Sequence, residues 1–166
     1  KGVEIGRYCL RETLKQGRRE WLDEQRFLEE CGPRVITTRR RIATQRITGV
    51  DERWRIVATI LPAGVYFADS TNSIAVADDS PLPLEYFLAF LNSRLWQWRF
   101  KLTSSNNNVG TNELKCMPLF CPRESNAKTE RAALVAHVER MLKLHADLAA
   151  AKTPDAQTRM QREIAA

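Results

Sequence analysis

The spacing of apolar positions changes along the chain, and the changes set the expected elements. Residues 1–19 are polar and mixed, with glycines at 2, 6 and 17, and read as an irregular lead-in with one short strand around Tyr8–Leu10. In residues 20–31, Trp21, Leu22, Gln25, Leu28 and Glu29 fall at helical steps, and Gly32-Pro33 ends that helix. Arg34–Thr38 alternates weakly, Trp54–Leu61 is rich in β-branched residues, and Pro62-Ala63-Gly64 marks a turn. Val65–Ala68 follows at hairpin distance, and Ser73–Ala77 makes a fourth short strand. Strands this short and this close imply a mixed or antiparallel sheet.

The period then becomes helical. Leu84, Phe87, Leu88, Leu91, Leu95 and Trp98 recur at three- and four-residue steps, which predicts one helix from Leu84 to Phe100 with that stripe on the sheet. Trp98 lies on the stripe and is expected in the core, whereas Trp96 lies off it. Thr103–Asn108 is a polar tract expected as an exposed loop, and a short strand is expected near Cys116–Phe120. From Lys128 to Lys152, Leu134, Val138, Met141, His145 and Leu148 step by 4, 3, 4 and 3, the spacing of a coiled-coil or helix-pair seam. Thr153-Pro154-Asp155 breaks that helix and starts another, with Thr153 as cap and Pro154 at the first position. The expected fold is α+β: a small mixed or antiparallel sheet packed by a long helix, then a C-terminal coiled-coil-like helical segment. The expected division is a recognition domain over 1–125 and a helical spacer or docking segment over 126–166.

Composition narrows the class. The 166 residues are 43% hydrophobic and 28% charged, with 7 Gly and 7 Pro, which suits a globular core and excludes a disordered or collagen-like chain. The net charge of +6 is modest, but it is concentrated: Arg34–Arg55 holds seven arginines against Asp51 and Glu52, a local excess of five. A binding face needs such a local field more than a high total. Cys9, Cys31, Cys116 and Cys121 have unrelated spacings without C-x-x-C, and there are 2 His, so no metal site is expected and the thiols read as reduced and partly buried. Without a signal peptide or long apolar span, the chain is expected to be cytoplasmic, with no membrane partner. Its ends at Lys1 and Ile164-Ala165-Ala166 read as boundaries within a longer protein.

Candidate chemistry follows from the arginines and amides. Arg39, Arg40 and Arg41 cannot all face one way in a strand. They read either as a solvated charge run or, with Thr44, Gln45 and Arg46 close by, as a set facing phosphate and guanine. Ser104, Ser105, Asn106, Asn107 and Asn108 read either as a solvent loop or as donors and acceptors for base edges, adenine especially. They gain weight from Arg99 and Lys101 just before them. His137 and His145 have no carboxylate at a useful spacing and read as structural. No P-loop, dinucleotide fingerprint or hydrolase triad occurs, so no catalytic residue is expected.

Taken in order, the segments resemble a known family. The matching pieces are Lys1–Tyr8 (KGVEIGRY), Arg34–Arg41, Tyr66–Ile74, Leu91-Asn92-Ser93 and Leu114–Leu119, followed by the terminal helix. Their order is similar to the C-terminal specificity region of TaqI-like adenine-N6 DNA methyltransferases, including fused methyltransferase–endonucleases of the Eco57I type. These signatures are structural, so none transfers a catalytic residue. The family's Asn-Pro-Pro-Tyr type tetrapeptide and Gly-rich cofactor loop are not in this sequence. The resemblance implies a catalytic domain using S-adenosylmethionine upstream of Lys1, and no cofactor within this chain.

The expected function is sequence-specific recognition of double-stranded DNA for a restriction–modification enzyme. The expected partners are duplex DNA, the upstream methyltransferase domain and a helix partner for the C-terminal seam. Two rivals remain open: a protein-interaction module built on that seam, and a nuclease-type enzyme with an unrecognised site.

Overall fold

The computed structural model describes residues 2–11, 21–31, 38–49, 53–121 and 127–165. A single 3-10 turn at Gly2–Glu4 leads into β1 (Ile5–Gly6) and β2 (Cys9–Leu10), a small antiparallel hairpin. Helix α1 (Glu24–Cys31) begins where Asp23 Oδ1 accepts the Arg26 amide at 3.1 Å. The second sheet has the order β4-β3-β5, from β3 (Arg41–Gln45), β4 (Ala58–Leu61) and β5 (Thr71–Ile74), all antiparallel. Five helices follow among the described residues: α2 (Leu84–Leu91), α3 (Arg94–Thr103), α4 (Thr111–Lys115), the long α5 (Ala127–Ala150) and α6 (Pro154–Ala165).

The strand alternation builds two apolar layers. Ile42 pairs with Ile60 on one side and Ile74 on the other, and this row packs with Leu88, Leu91, Trp96 and Phe100 of the helices. Ala43 and Leu61 point to the opposite face, where Ile5, Val65 and Phe67 cover them. Val65–Ala68 is therefore not the expected hairpin strand: the link from β4 to β5 crosses that face and spends its apolar residues there. The crossing begins at Gly64, whose φ of +80° suits a residue without Cβ.

Other expectations shift. Residues 34–37 of the expected strand Arg34–Thr38 lie outside the described residues, and the central strand is instead β3, whose polar start at Arg41 hid it. Trp54–Leu61 shortens to β4, and Ser73–Ala77 moves to Thr71–Ile74. Cys116–Phe120 forms no strand: α4 ends just before it, and Pro118 and Trp96 join it to the core through a 3.0 Å bond from the indole N–H to the Pro118 carbonyl.

The expected helix Leu84–Phe100 is two helices. The break falls at Asn92-Ser93, where Ser93 Oγ accepts the Trp96 amide and caps α3. The break resets the helical phase. Trp96 is 6% exposed and Trp98 60%, the reverse of the expectation drawn from one continuous stripe.

The division at 125/126 does not match the packing. Helix α5 lies along α2 and touches α6 and β2. Val138 is buried in the main core, with Leu134 and Leu142 against it. The seam is thus filled within the chain. Thr153 Oγ1 accepts the Ala156 amide at 3.4 Å, as its expected capping role requires. No described helix is long and apolar enough to cross a membrane.

Candidate nucleic-acid interface

Each member of the arginine triplet has a partner within the chain. Arg39 pairs with Asp78 at 2.7 Å, and Arg40 pairs with the nearly buried Glu85 at 2.6 Å. Arg41 is 2% exposed, donates to the Val65 carbonyl and lies 5.1 Å over the Phe67 ring. Burial pulls its guanidinium below the ordinary range. Arg41 is therefore withdrawn from the candidate contacts: as the first residue of the central strand, it points under the crossing segment. Thr44 is also withdrawn, since it is fully buried and accepts from Asn72 at 3.2 Å. Ser104 is buried as well, so the hydroxyl set begins at Ser105. Gln45 is half-buried and holds the Ile5 carbonyl at 2.6 Å.

The other end of β3 behaves differently. Arg46 is exposed, and its backbone continues the strand into a new pairing. The Arg46 carbonyl accepts the Val109 amide at 2.7 Å, the Thr48 amide donates to the Asn107 carbonyl at 2.9 Å, and Ile47 bridges Asn108. Arg55, buried beneath, donates its guanidinium to the Asn106 carbonyl and its Nε to Thr48 Oγ1 at 3.3 Å. These bonds bring together residues sixty positions apart. They leave Arg46, Ser105, Asn106, Asn107 and Asn108 exposed on one corner while their backbone is held. Lys101 is exposed on the last turn of α3 just before this corner, and Arg99 is half-buried. Arg39 and Arg40 are not part of it, because β3 carries them to the opposite end, about 14 Å away by strand rise.

An open cleft of about 470 Å³ adjoins the corner, lined by Arg46, Asn72, Gly110, Thr111, Asn112 and Glu113. Its floor is built from side chains already bonded. Asn72 donates to Thr44 and, at 2.8 Å, to the Val109 carbonyl, and Glu113 Oε2 accepts the Gly110 amide at 2.9 Å. Sequence reasoning missed Asn72, Thr111 and Asn112. The polar tract was closed at Asn108, although Thr111 and Asn112 continue it past one buried valine. Among the described residues, no three or more His, Cys, Asp or Glu are grouped to hold a metal ion, and all four cysteines are free. The cysteines are more exposed than expected: Cys9 alone is half-buried.

No family model, curated protein or solved structure matches this chain.

Proposed function

We propose that this chain recognises double-stranded DNA through the Arg46–Asn108 corner, as the non-catalytic specificity region of a cytoplasmic DNA-modifying enzyme. One observation carries the reading. Antiparallel pairing of 46–48 with 107–109 brings an exposed guanidinium to the same corner as three exposed amides. Guanidinium binds phosphate or guanine, and amides read base edges, adenine in particular. A backbone tied on both sides lowers the ordering cost at binding to that of the side chains. The resemblance to TaqI-like specificity regions supports the same reading and supplies the parent chemistry: adenine-N6 methylation by an upstream domain that holds S-adenosylmethionine. The seam that suggested a separate helix partner is occupied by α2 of the same chain.

Selection of bound duplexes from a random-sequence pool, followed by anisotropy titration, tests the reading. The expected result is an enriched motif. Asn106→Ala/Asn107→Ala is expected to blur that motif while keeping non-specific affinity, and Arg46→Ala to weaken all duplexes. Lack of enrichment together with lack of affinity at about 50 mM salt, where phosphate contacts are strongest, would sink it.

A further inference from the structure

A second cluster of cations lies away from the Arg46 corner, at the other end of α3. Arg7 sits in the β1–β2 turn, with its guanidinium 3.6 Å over the Trp54 ring and one nitrogen donating to the Asn92 carbonyl at 3.0 Å. Arg53 lies 5.5 Å from the same ring. Arg94 opens α3 directly after Asn92-Ser93, and Arg53 and Arg94 are both close enough to Arg7 to oppose its charge. Among the described residues, no carboxylate pairs with Arg7, Arg53 or Arg94. The Arg7 Nε is buried without a partner.

This arrangement is costly as it stands. Like charges gather around a half-buried guanidinium: burial lowers the Arg7 pKa most, the neighbouring Tyr8 hydroxyl works against that, and Arg53 and Arg94 add a further lowering. The turn that presents Arg7 also holds Tyr8 at a φ of 60°, a left-handed conformation that is strained for a residue with a Cβ. Strain and like charges without a paired carboxylate at one place are features of sites completed by a ligand. An anion with several oxygens satisfies both the charge and the free guanidinium donors.

We infer that Arg7, Arg53 and Arg94 around Trp54 form a phosphate-binding site that holds the DNA backbone at a second point. The duplex is the source of that phosphate under the function proposed above, on which this inference rests for its partner. Arg94 and the C-terminal end of α3 are about 14 Å apart by helical rise, comparable to the width of about 12 Å of a major groove. The helix thus spaces a purely anchoring site from the corner that carries the amides.

The test uses the full chain and R53Q/R94Q, which alters two exposed side chains and leaves Arg7, Trp54 and Asn92 in place. Anisotropy against random-sequence duplexes over a salt series is expected to show weaker binding to every duplex. The slope of log K against log salt is expected to become shallower by about 2, since each phosphate contact contributes about 0.9. A thermal-shift titration with pyrophosphate decides the site independently of DNA. The wild type is expected to be stabilised, R53Q/R94Q by less than half as much, and R159Q/R162Q on α6 as much as the wild type. Loss of the shift in R53Q/R94Q from a chain that binds no duplex keeps the anion site and overturns the DNA reading. An unchanged salt slope in a chain that does bind duplex overturns the anion site as a DNA anchor. A pyrophosphate shift that is equal in all three proteins or absent from all overturns the anion site itself.

Discussion

Two amide side chains bond the backbone of residues 55–58, which leads into edge strand β4 beside the β1–β2 hairpin, whose Tyr8 amide also donates to the Ala58 carbonyl at 3.0 Å. Asn92 accepts the Ala58 amide at 3.2 Å and returns a bond to the Ala58 carbonyl at 2.9 Å. Gln97 accepts the Arg55 and Ile56 amides at 2.8 and 2.9 Å and donates to the Ile56 and Leu91 carbonyls. All of these groups are buried, so Gln97→Ala strands several at once. A loss of at least about 2 kcal/mol is expected by urea denaturation, and less than about 0.5 would show that water replaces the amide. The same bonds explain why a Leu-Asn-Ser phrase stands at this point: Asn92 serves the sheet and Ser93 starts the next helix. His145 offers a pH test. Burial, then the charges of Arg7 and Arg11, lowers its pKa, while Tyr8 stacks on its ring at 6.1 Å. The unfolded chain therefore takes up this proton first. Stability is full above about pH 6.5 and falls as pH drops toward the folded value. Melting temperatures between pH 7.5 and 5 should decline more steeply for the wild type than for His145→Gln, and identical slopes would count against it.

At the scale of elements, the break between α2 and α3 decides which tryptophan stabilises the fold. Trp96→Ala is expected to cost about 3–5 kcal/mol, and Trp98→Ala within about 0.5, both read from denaturant midpoints. A larger cost for Trp98→Ala than for Trp96→Ala would mean a continuous helix in the phase that the sequence suggests. The reversal shows what periodicity does and does not disclose. Leu84, Leu88 and Leu91 were legible because they lie within one helix, as were Leu134 and Val138 on α5. Leu95 and Trp98 were misplaced because a cap residue inside an apolar run resets the phase without changing the spacing. Strand β3 was missed for another reason: its buried Arg41 and Thr44 bond to distant segments, at Val65 and Asn72. The candidate site was legible by half. Residue types singled out Arg46 and the amides of 106–108, but only the pairing of 46–48 with 107–109 joined them and separated them from Arg39 and Arg40.

For the whole molecule, α5 closes the core rather than extending from it. A chain cut after residue 125 would expose the α2 face that Leu134, Val138 and Leu142 cover. Such a chain is expected to lose its cooperative melt and to bind a hydrophobic dye. A sharp melt near that of the full chain would restore the division into two parts. The strands also fix where charge lies: Arg39 and Arg40, just ahead of β3, are held in ion pairs with Asp78 and Glu85, and Arg46, just past its other end, is exposed with one guanidinium nitrogen donating to the Asp69 carbonyl at 3.2 Å. The most direct measurement is the salt dependence of duplex binding by the full chain beside Arg46→Ala. The account predicts a linear fall of log K with log salt, a slope shallower by about 1 in the variant, and weaker binding of every duplex. Identical slopes and affinities for the two proteins, or no duplex binding by the full chain at low salt, would contradict it.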